Sequence, residues 1–395
     1  MILAGGRGTR LGALTTRRPK PMVEFNGAPF LEYIVSMLRE QGFDRVLMLL
    51  GYLPDAIQQH FGNGSRWNLT ITYSITPPDD LTWQRMHAAA DALDPRFLLL
   101  YCDNYWPMQF APMWEQFSAA GAPAMVTVYR NSDHYTRSNV RVAADGRITA
   151  FDKTRTAPGL NGVEIGYAIV DRSVLNLESA DTAAMFEDVV YPTLASRGQL
   201  LAHVTDHRYY SVGSPDRLPV TEAFLSGPSA VFLDRDGVIN RKPARGEYVR
   251  TREEFEWQPG ALAALKTLAD SGHRIIIVTN QAGIARQLMT PDQLAALHLW
   301  MTGEIVRAGG RVDAIYCCTH GWDEGCDCRK PQPGMLFQAQ HDFDLNLRRA
   351  VFIGDDDRDR SAADAAGVTY EMVTADRSLA DIVASRAASF PTGVV

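Results

Sequence analysis

Short runs of apolar residues recur along the chain and alternate with segments whose apolar residues follow a helical period. Six of these runs are, in chain order, RVLMLL (45–50), FLLLYC (97–102), AMVTVY (124–129), AVFLD (230–234), RIIIVTN (274–280) and AVFIGD (350–355). Apolar runs of this length between turns are typical of strands that helices cover on both faces, as in parallel sheets. The pattern therefore predicts an α/β protein with doubly wound, Rossmann-like sheets.

The clearest break in this alternation is LSGPSA, residues 225–230. Gly227-Pro228 should end the helix-like segment TEAFL, and a new buried strand follows at once. A chain of 395 residues is also too long for one ordinary hydrophobic core. We therefore predict two domains, residues 1–227 and 228–395.

The composition of the chain narrows its possible partners. With 46% hydrophobic residues, 22% charged residues and a net charge of -7, it has no basic field to hold a nucleic acid or an anionic membrane surface. It also has no apolar run of the roughly 18 residues that span a bilayer and no signal-peptide pattern at its start. These features predict a cytoplasmic protein with small-molecule partners, and they leave its oligomeric state open.

Cysteine is concentrated in one short segment, since four of the five cysteines lie between positions 317 and 328. Within it, Cys318 and His320 are separated by five residues from Cys326 and Cys328. Four nitrogen and sulfur ligands in a short loop predict a closed, structural tetrahedral Zn²⁺ site. The alternative is a set of free thiols beside a surface histidine.

Two carboxylates follow the fourth apolar run in VFLDRDGVIN. Because side chains alternate along a strand, Asp234 and Asp236 point to the same side at the carboxyl end of the strand, where α/β sheets place ligands. One could attack phosphorus while the other handles protons, with a divalent cation offsetting their repulsion. Such a pair alone is also compatible with a solvated turn.

Three later segments add groups suited to a phosphate. RIIIVTN ends in Thr279 and Asn280, followed by Gln281, which offer hydroxyl and amide donors. CRKPQPG supplies two cations, Arg329 and Lys330, which could neutralise phosphate charge. AVFIGD ends in Asp355, an oxygen ligand that could complete a Mg²⁺ site.

The four segments DRDGVIN, VTNQAGIAR, CDCRKPQPG and IGDDDRD resemble the motifs of the haloacid dehalogenase (HAD) phosphatases, over about residues 229–375. The resemblance is to the branch that contains histidinol-phosphatases and heptose 1,7-bisphosphate phosphatases. YVRTREEFEWQPGALAALKTLADSGH, followed by VTNQAGIAR, is more similar to the heptose enzymes.

This resemblance implies a role for each motif residue. Asp234 would be the nucleophile that forms an aspartyl-phosphate, and Asp236 the general acid and base. Thr279 and Lys330 would hold the phosphoryl group. Mg²⁺ would be bound by Asp234, Asp355 and the backbone carbonyl of Asp236.

Other positions in the same resemblance concern the substrate and the loops around it. Asn280, Gln281 and Arg329 would contact the substrate, Arg329 at its distal part, and the family's structural zinc loop coincides with the cysteine cluster. Two residues depart from the pattern: Asp356 stands where the heptose branch often has Lys, and Gln287 where it usually has Gly. The role of Asp356 is left open.

The chain begins with a different phosphate-binding pattern, ILAGGRGTRL. A short strand precedes a glycine turn whose backbone N–H groups could wrap a triphosphate, with Arg10 adding charge and PKPM contributing Lys20. The G-x-G-x-x-G spacing of dinucleotide sites is absent.

The string LAGGRGTRLGALTTRRPKPMVEFNGAPFLEYIV resembles the start of sugar-phosphate nucleotidyltransferases, and the resemblance extends over about residues 1–225. It implies that Asp103 binds Mg²⁺, that Lys153 meets the sugar phosphate, and that Glu164 and Gly166 hold the sugar. The implied nucleotide-binding residues are Leu3, Ala4, Gly5, Gly6, Gly8 and Thr9.

Two departures affect this first domain. LTWQRM (81–86) replaces a small, glycine-rich segment near the base and sugar, and Ser211 stands where the family commonly has a second metal-binding Asp. A domain that binds a sugar nucleotide without catalysis is therefore an alternative.

Together the two resemblances imply successive steps in the synthesis of a nucleotide-activated heptose, a precursor of lipopolysaccharide or S-layer glycans. The 7-phosphate of D-glycero-D-manno-heptose 1,7-bisphosphate would be removed, and a nucleotide, guanylyl by family analogy, would be joined to the 1-phosphate. The alternatives are a phosphatase with a silent first domain and a phosphatase for histidinol phosphate or another small phosphate. The base and the anomer are left open.

Overall fold

Two units with separate sheets and cores make up the chain, Met1–Glu222 and Ala223–Val395. The computed structural model describes residues 1–177, 183–227, 229–244 and 246–386. All six apolar runs form strands, which confirms the α/β class. Within the described residues, no helix combines the length and apolar character that a membrane crossing requires.

The first unit contains a large sheet, three two-stranded ribbons and the helices between them. Its strands are β1 Ile2–Ala4, β2 Glu24–Phe25, β3 Ala28–Pro29, β4 Arg45–Leu50, β5 Thr70–Ile75, β6 Arg96–Tyr101, β7 Asn104–Tyr105, β8 Ala124–Tyr129, β9 Val140–Val142, β10 Ile148–Phe151, β11 Val163–Asp171, β12 Leu200–Thr205 and β13 Tyr210–Ser211. Its helices are α1 Phe30–Glu40, α2 Pro54–Phe61, α3 Thr82–Ala88, α4 Phe110–Ala120 and α5 Phe186–Ser196, and α6 Leu218–Ser226 runs across the boundary between the units.

The large sheet has the strand order β12-β8-β11-β6-β1-β4-β5. Neighbouring strands pair in parallel except at β11, which is antiparallel to both β6 and β8, so the sheet is mixed. Trp83 of α3 and Phe186 of α5 pack with buried strand residues such as Leu99 and Val126. This burial explains why the strands read as continuous apolar runs.

The second unit is built on a five-stranded sheet with helices between its strands. Its strands are β14 Ala230–Leu233, β15 Arg274–Asn280, β16 Ala314–Cys318, β17 Val351–Gly354 and β18 Thr369–Met372. Its helices are α7 Ala261–Asp270, α8 Pro291–Arg307, α9 Gly334–Phe343, α10 Asp357–Ala366 and α11 Leu379–Arg386.

All pairs in this second sheet are parallel, in the order β16-β15-β14-β17-β18. Its two faces carry separate apolar clusters, because alternate residues of each buried strand point to opposite sides. The central strand β14 has β15 and β17 as neighbours, so the segments after these three strands meet at one edge.

Candidate active sites

The carboxylates of the D-R-D segment lie directly after β14, and the arginine between them is fully buried. The Arg235 backbone N–H donates to Asp234 Oδ1 at 2.7 Å, and its Nη2 donates to both carboxylate oxygens of Asp236 at 2.9 and 2.8 Å. On the other side, Arg235 Nη1 donates to His298 Nε2 at 3.1 Å. Arg235 therefore holds the orientation of Asp236.

The environment of Asp236 favours its charged form. Burial alone would raise the pKa of Asp236, but Arg235 and hydrogen bonds from Asn240 and Gln281 outweigh burial and lower it below its usual value. Burial, and then the charge of Arg235, lower the pKa of His298 to about 4, so this imidazole is neutral and can accept the arginine hydrogen bond.

Lys330 lies at the centre of the site with only 2% of its side chain exposed. Its Nζ is 2.9 Å from Asp234 Oδ1 and 2.8 Å from Asp359 Oδ1, and it donates to the Val278 carbonyl at 3.0 Å. Burial opposes its charge, yet the two carboxylates outweigh burial and raise the pKa of Lys330. For Asp234, burial and the neighbouring carboxylates raise the pKa, and Lys330 opposes them.

Three carboxylates at this edge fit a divalent cation. One oxygen each from Asp234, Asp355 and Asp359 lies within 4.8 Å of the others, and the buried Oδ1 of Asp355 has no hydrogen-bond partner among the described residues. Gly237 has a φ of 103°, and a Cβ there would overlap the Asp355 carboxylate. The donor set of hard oxygen atoms suits Mg²⁺.

The last two residues of β15, Thr279 and Asn280, line the cleft, and Gln281, the residue that follows them, lies behind it. Asn280 exchanges hydrogen bonds with the backbone of Lys330, at 3.0 and 3.1 Å. Gln281 is fully buried, and its amide donates to Asp236 Oδ2 and Thr279 Oγ1 at 2.9 and 2.8 Å. Gln281 is not among the described residues that line the cleft, so, contrary to the expectation from the sequence, it supports Asp236 instead of contacting the ligand.

The cleft in front of these groups has a volume of about 920 Å³. Its wall is rich in cations and aromatic rings: the residues beyond the catalytic group include Lys242, Tyr248, Trp322, Arg329 and Arg358. Lys242 Nζ lies 2.9 Å from Asp355 Oδ2 and 3.2 Å from Asp356 Oδ2. The cleft is thus suited to an anionic ligand larger than inorganic phosphate.

The cysteine cluster beside the cleft has the shape of a tetrahedral metal site. Cys318 Sγ is 3.6 Å from both His320 Nδ1 and Cys326 Sγ, and Cys328 Sγ is 3.6 Å from Cys326 Sγ and 3.2 Å from His320 Nδ1. Ligands about 2.3 Å from a central Zn²⁺ would be about 3.7 Å apart, whereas disulfide sulfurs are about 2.05 Å apart. The four side chains fit a metal ion.

Two positions that depart from the phosphatase pattern have local structural explanations. Asp356 is the N-cap of α10, where its carboxylate accepts from the Arg358 backbone N–H. Gln287 has a φ of 54°, in the left-handed region that glycine adopts most easily, which explains a preference for glycine there.

At the start of the chain, the glycine loop follows β1 and packs against Lys20. Gly8 has a φ of 66°, and a Cβ there would lie 2.8 Å from the Lys20 Cβ. Lys20 Nζ contacts Asp103 Oδ2 at 2.6 Å. Leu3 and Ala4 are buried in β1, whereas Gly6 is exposed.

Leu3, Ala4 and the glycines of the loop can offer only backbone groups to a ligand, because their side chains are buried or absent. Thr9 and Arg10 are exposed on the loop, and the Arg10 guanidinium is near Gly213.

The residues predicted to bind the sugar and its phosphate lie in an acidic environment, with Glu164 partly buried and Lys153 exposed. Glu164 accepts from the Gly166 backbone N–H at 2.6 Å, and burial raises the pKa of Glu164 to about 8. Lys153 Nζ is 2.8 Å from Glu187 and 2.9 Å from Asp188. Burial opposes the charge of Lys153, but these two carboxylates raise its pKa, so its ammonium is already paired.

Ser211 lies beside the Asp103 segment. Strand β13 pairs with β7 so that Ser211 is opposite Asn104, and the Val212 N–H donates to the Asp103 carbonyl at 2.9 Å. Ser211 Oγ accepts from the N–H of Gly213 at 2.9 Å. The structure therefore brings Ser211 close to Asp103 along the backbone.

Several residues of these sites were not singled out from the sequence, among them Asp359, Arg235 and Lys242. The sequence offered a signal for two of them: Asp359 is an acid four residues after Asp355, and Arg235 alternates with two outward-facing carboxylates and must face inward. Lys242 is an ordinary surface residue in its local context, and only the folded chain brings it to the site.

These two groups of site residues define the class of protein. It is an α/β enzyme with a site of phosphatase type in its second unit and a glycine-loop site in its first. A nucleotidyl transferase family model matches residues 1–221, and a HAD-hydrolase-like model matches residues 327–395.

Known phosphatases match the second part of the chain. The D-glycero-β-D-manno-heptose-1,7-bisphosphate 7-phosphatase of Rhodopseudomonas palustris is 40% identical over 146 residues, which are 35% of this chain and 79% of the relative. The D-glycero-α-D-manno-heptose-1,7-bisphosphate 7-phosphatase of Burkholderia mallei is 38% identical over 173 residues, 42% of this chain and 87% of the relative.

A solved structure shares the nucleotidyltransferase fold. It is a putative glucose-1-phosphate thymidylyltransferase from Bacillus anthracis in complex with sucrose, with a TM-score of 0.51 and 20% identity, covering 56% of this chain and 92% of that chain. The chain therefore belongs to the nucleotidyl transferase family and, through its second part, to the HAD-type heptose bisphosphate phosphatases. Both resemblances found in the sequence are confirmed.

Proposed function

We propose that the chain catalyses two successive steps of nucleotide-activated heptose synthesis, with the functional division at residues 1–227 and 228–395. The second domain removes the 7-phosphate of D-glycero-D-manno-heptose 1,7-bisphosphate. The first joins a nucleotide, guanylyl by family resemblance, to the heptose 1-phosphate. The observation that carries the proposal is the buried Lys330 between Asp234 and Asp359, beside the D-R-D pair.

In the phosphatase step, a carboxylate oxygen of Asp234 attacks the 7-phosphorus, and the bond from phosphorus to the heptose oxygen breaks. Asp236 gives its proton to the leaving oxygen, then removes a proton from the water that attacks the aspartyl-phosphate. Inorganic phosphate leaves and Asp234 is restored. The low pKa of Asp236 suits its role as base, and the negative charge of a bound phosphate would raise it for the acid half of the cycle.

The other groups of the site bind and orient the phosphoryl group. Thr279 and Lys330 hold its oxygens, and Arg329 contacts the distal part of the substrate in the cleft. Mg²⁺, held by Asp234, Asp355 and the Asp236 backbone carbonyl, with Asp359 beside them, would neutralise phosphate charge when bound. Asn280 and Gln281 act by fixing Lys330 and Asp236.

We assign a structural Zn²⁺ to Cys318, His320, Cys326 and Cys328. All four ligand positions would be filled by protein atoms, so this ion would organise the wall of the cleft and take no part in the chemistry. Thiolate ligands of this kind persist in a reducing compartment, which agrees with a cytoplasmic site of synthesis.

In the nucleotidyl transfer step, an oxygen of the sugar 1-phosphate attacks the α-phosphorus of the nucleoside triphosphate, and pyrophosphate leaves. The N–H groups of the glycine loop, with Arg10 and Lys20, bind the triphosphate, and Asp103 would hold Mg²⁺. Lys153 meets the sugar phosphate, and Glu164 and Gly166 hold the sugar. The chain's contribution is positioning and charge neutralisation.

A second candidate is a first domain that binds a sugar nucleotide without catalysis. It is favoured by Ser211 beside Asp103, because a hydroxyl is a poorer Mg²⁺ ligand than a carboxylate. It is also favoured by Lys153, whose ammonium is already paired with two carboxylates.

One experiment separates these candidates. Both anomers of the heptose bisphosphate are supplied with Mg²⁺ and each of the four nucleoside triphosphates, and the products are identified by mass; both anomers are needed because the relatives carry both names. A heptose monophosphate, a nucleotide-heptose and pyrophosphate support the bifunctional enzyme. Dephosphorylation without pyrophosphate supports the silent domain. A parallel assay supplies histidinol phosphate, and faster hydrolysis of that substrate would contradict the heptose assignment.

A further inference from the structure

Arg85 is a buried arginine at the edge of the first unit's large sheet. It belongs to α3, in the LTWQRM segment, and is 3% exposed. Burial lowers the pKa of Arg85, and the nearby Asp80 opposes that shift. A charged guanidinium in such a place needs several acceptors to offset its lost hydration.

Five acceptors surround this guanidinium. They are the carbonyl oxygens of Gly5 at 3.4 Å, Leu50 at 2.7 Å, Pro77 at 2.9 Å and Pro78 at 3.1 Å, and Thr76 Oγ1 at 2.5 Å. They come from three segments: the glycine loop after β1, the end of β4 and the chain after β5. One side chain thus ties the loop to the carboxyl ends of two neighbouring strands.

Two glycines make room for the guanidinium. A Cβ on Gly5 would lie 2.6 Å from Arg85 Cζ, and a Cβ on Gly51 would overlap the same group. Neither glycine has a positive φ, so the close approach of Arg85, rather than an unusual backbone conformation, requires glycine at both positions.

Because the peptide group is planar, the contact between Arg85 and the Gly5 carbonyl also fixes the direction of the next N–H, on the side of the loop that faces the ligand. In a trans peptide, the carbonyl and the following N–H point in opposite directions. The Gly5 carbonyl accepts from the Tyr52 backbone N–H at 3.1 Å and from Arg85 Nη2 at 3.4 Å. The N–H of Gly6 therefore points away from both donors, and Gly6 is exposed.

We propose that Arg85 is a positioning residue of the nucleotide site. By packing against Gly5 and Gly51 and sharing the Gly5 carbonyl with the Tyr52 N–H, it fixes the glycine loop so that the Gly6 N–H points at the phosphate groups of a nucleoside triphosphate. This inference rests on the proposed nucleotidyl transfer. The inference also gives the segment LTWQRM (81–86) a role: it supplies the side chain that packs against the glycine loop on the side opposite the ligand.

The test measures nucleotide binding as well as transfer. Binding of each Mg-nucleoside triphosphate is measured by calorimetry for the wild type and for Arg85→Ala, and the steady-state constants are measured where transfer occurs. We expect the Kd and KM for the nucleotide to rise about tenfold or more, because a loop displaced by an ångström loses much of its binding geometry. The KM for the sugar phosphate and the phosphatase activity should stay unchanged.

Guanidinium ion provides the decisive control. Millimolar guanidinium added to Arg85→Ala can fill the vacated space, and nucleotide binding should recover in part. The matched variant Arg45→Ala removes an arginine with 67% of its side chain exposed from β4 and should bind nucleotide like the wild type. If Arg85→Ala binds nucleotide as tightly as the wild type, or if guanidinium restores nothing in a folded variant, the proposal is wrong.

Gly51→Ala keeps the proposal testable if Arg85→Ala does not fold. The added methyl group should displace the guanidinium and raise the nucleotide Kd in the same direction. Wild-type affinity in Gly51→Ala would overturn the role of Arg85. If the wild type binds none of the four nucleotides, the proposed transfer itself fails and this inference falls with it, an outcome that the wild-type measurement alone identifies.

Discussion

The two sites of this chain differ in how their charged groups are paired. In the second unit, Lys330 is held by Asp359 and the Val278 carbonyl as well as by Asp234, and Arg235 holds Asp236, so these groups have partners besides the ones that a ligand would replace. In the first unit, Lys20 is paired with Asp103 and Lys153 with Glu187 and Asp188. These pairs join the groups that the ligands themselves would contact.

The comparison teaches that Lys330 and Asp236 of the phosphatase site keep supporting partners when a ligand binds, whereas Lys20 and Lys153 of the nucleotide site must exchange internal ion pairs for ligand contacts. Preorganised charges need no rearrangement at the moment of reaction. Exchange of an ion pair consumes part of the binding energy. We therefore expect robust phosphatase activity and a slower transfer that depends more strongly on Mg²⁺.

The largest expected effect tests whether the sites work independently. Asp234→Asn keeps the size of the nucleophile and removes its charge, so phosphate release should fall by at least about three orders of magnitude. Nucleotidyl transfer from a supplied sugar 1-phosphate should survive in the same protein. Loss of both activities in a folded variant would contradict independent sites.

Asp359→Asn tests the pairing of the central lysine. Lys330 would keep only Asp234 as a charged partner and the metal site would lose a neighbouring carboxylate, so kcat for phosphate release should fall by about a hundredfold. The matched control is Asp357→Asn, an exposed acid on the same helix, which should leave phosphate release within about twofold. Equal effects of the two substitutions would argue against a role for Asp359.

Cys326→Ser tests the metal loop that forms part of the cleft wall. Zinc content should fall and the second unit should unfold at a lower temperature, because the ligands connect a loop with little apolar material. Metal analysis and thermal unfolding check this, with Cys317→Ser as the control, since Cys317 lies outside the cluster beside His298. Wild-type protein with less than about half an equivalent of zinc, after expression with added metal, would count against the assignment.

The smallest expected effect concerns the nucleotide site of the first unit, where Ser211 stands in place of a second metal-binding carboxylate. Ser211→Asp should lower the Mg²⁺ concentration for half-maximal transfer by a few-fold, because it adds a carboxylate beside Asp103. Asp103→Ala should abolish transfer with either residue at 211, and Ser214→Asp, the same change three positions along, serves as a control for added charge. Brisk wild-type transfer at low Mg²⁺, unchanged by Ser211→Asp, would show that another group completes the metal site.

Much of the phosphatase site could be predicted because its signals are local. A buried strand followed by D-R-D, a second strand ending in Thr279-Asn280 and a third before Asp355 each place a group at the same sheet edge, whatever the loops between them do. The nucleotide site was harder, since its residues follow strands of a mixed sheet whose antiparallel member β11 carries no separate apolar run in the sequence pattern.

By itself, the sequence determined the α/β class, the positions of six strands, the order of the phosphatase motifs and the spacing of the four zinc-type ligands. Each of these depends on residues a few positions apart, within the range where backbone periodicity relates side chains to one another. Tertiary structure alone decided which charged side chains are buried and which hydrogen-bond and ion-pair partners compensate for their burial.

Arg85 and Lys330 illustrate the difference. Each is an ordinary polar residue in its local segment, and each is almost completely buried because acceptors from distant segments converge on it: Gly5, Leu50 and Thr76 around the arginine, and Asp234 and Asp359 around the lysine. A buried charge is tolerated only where several partners meet. The convergence of these partners is a property of the folded chain, because the pairing of strands far apart in the sequence brings them together.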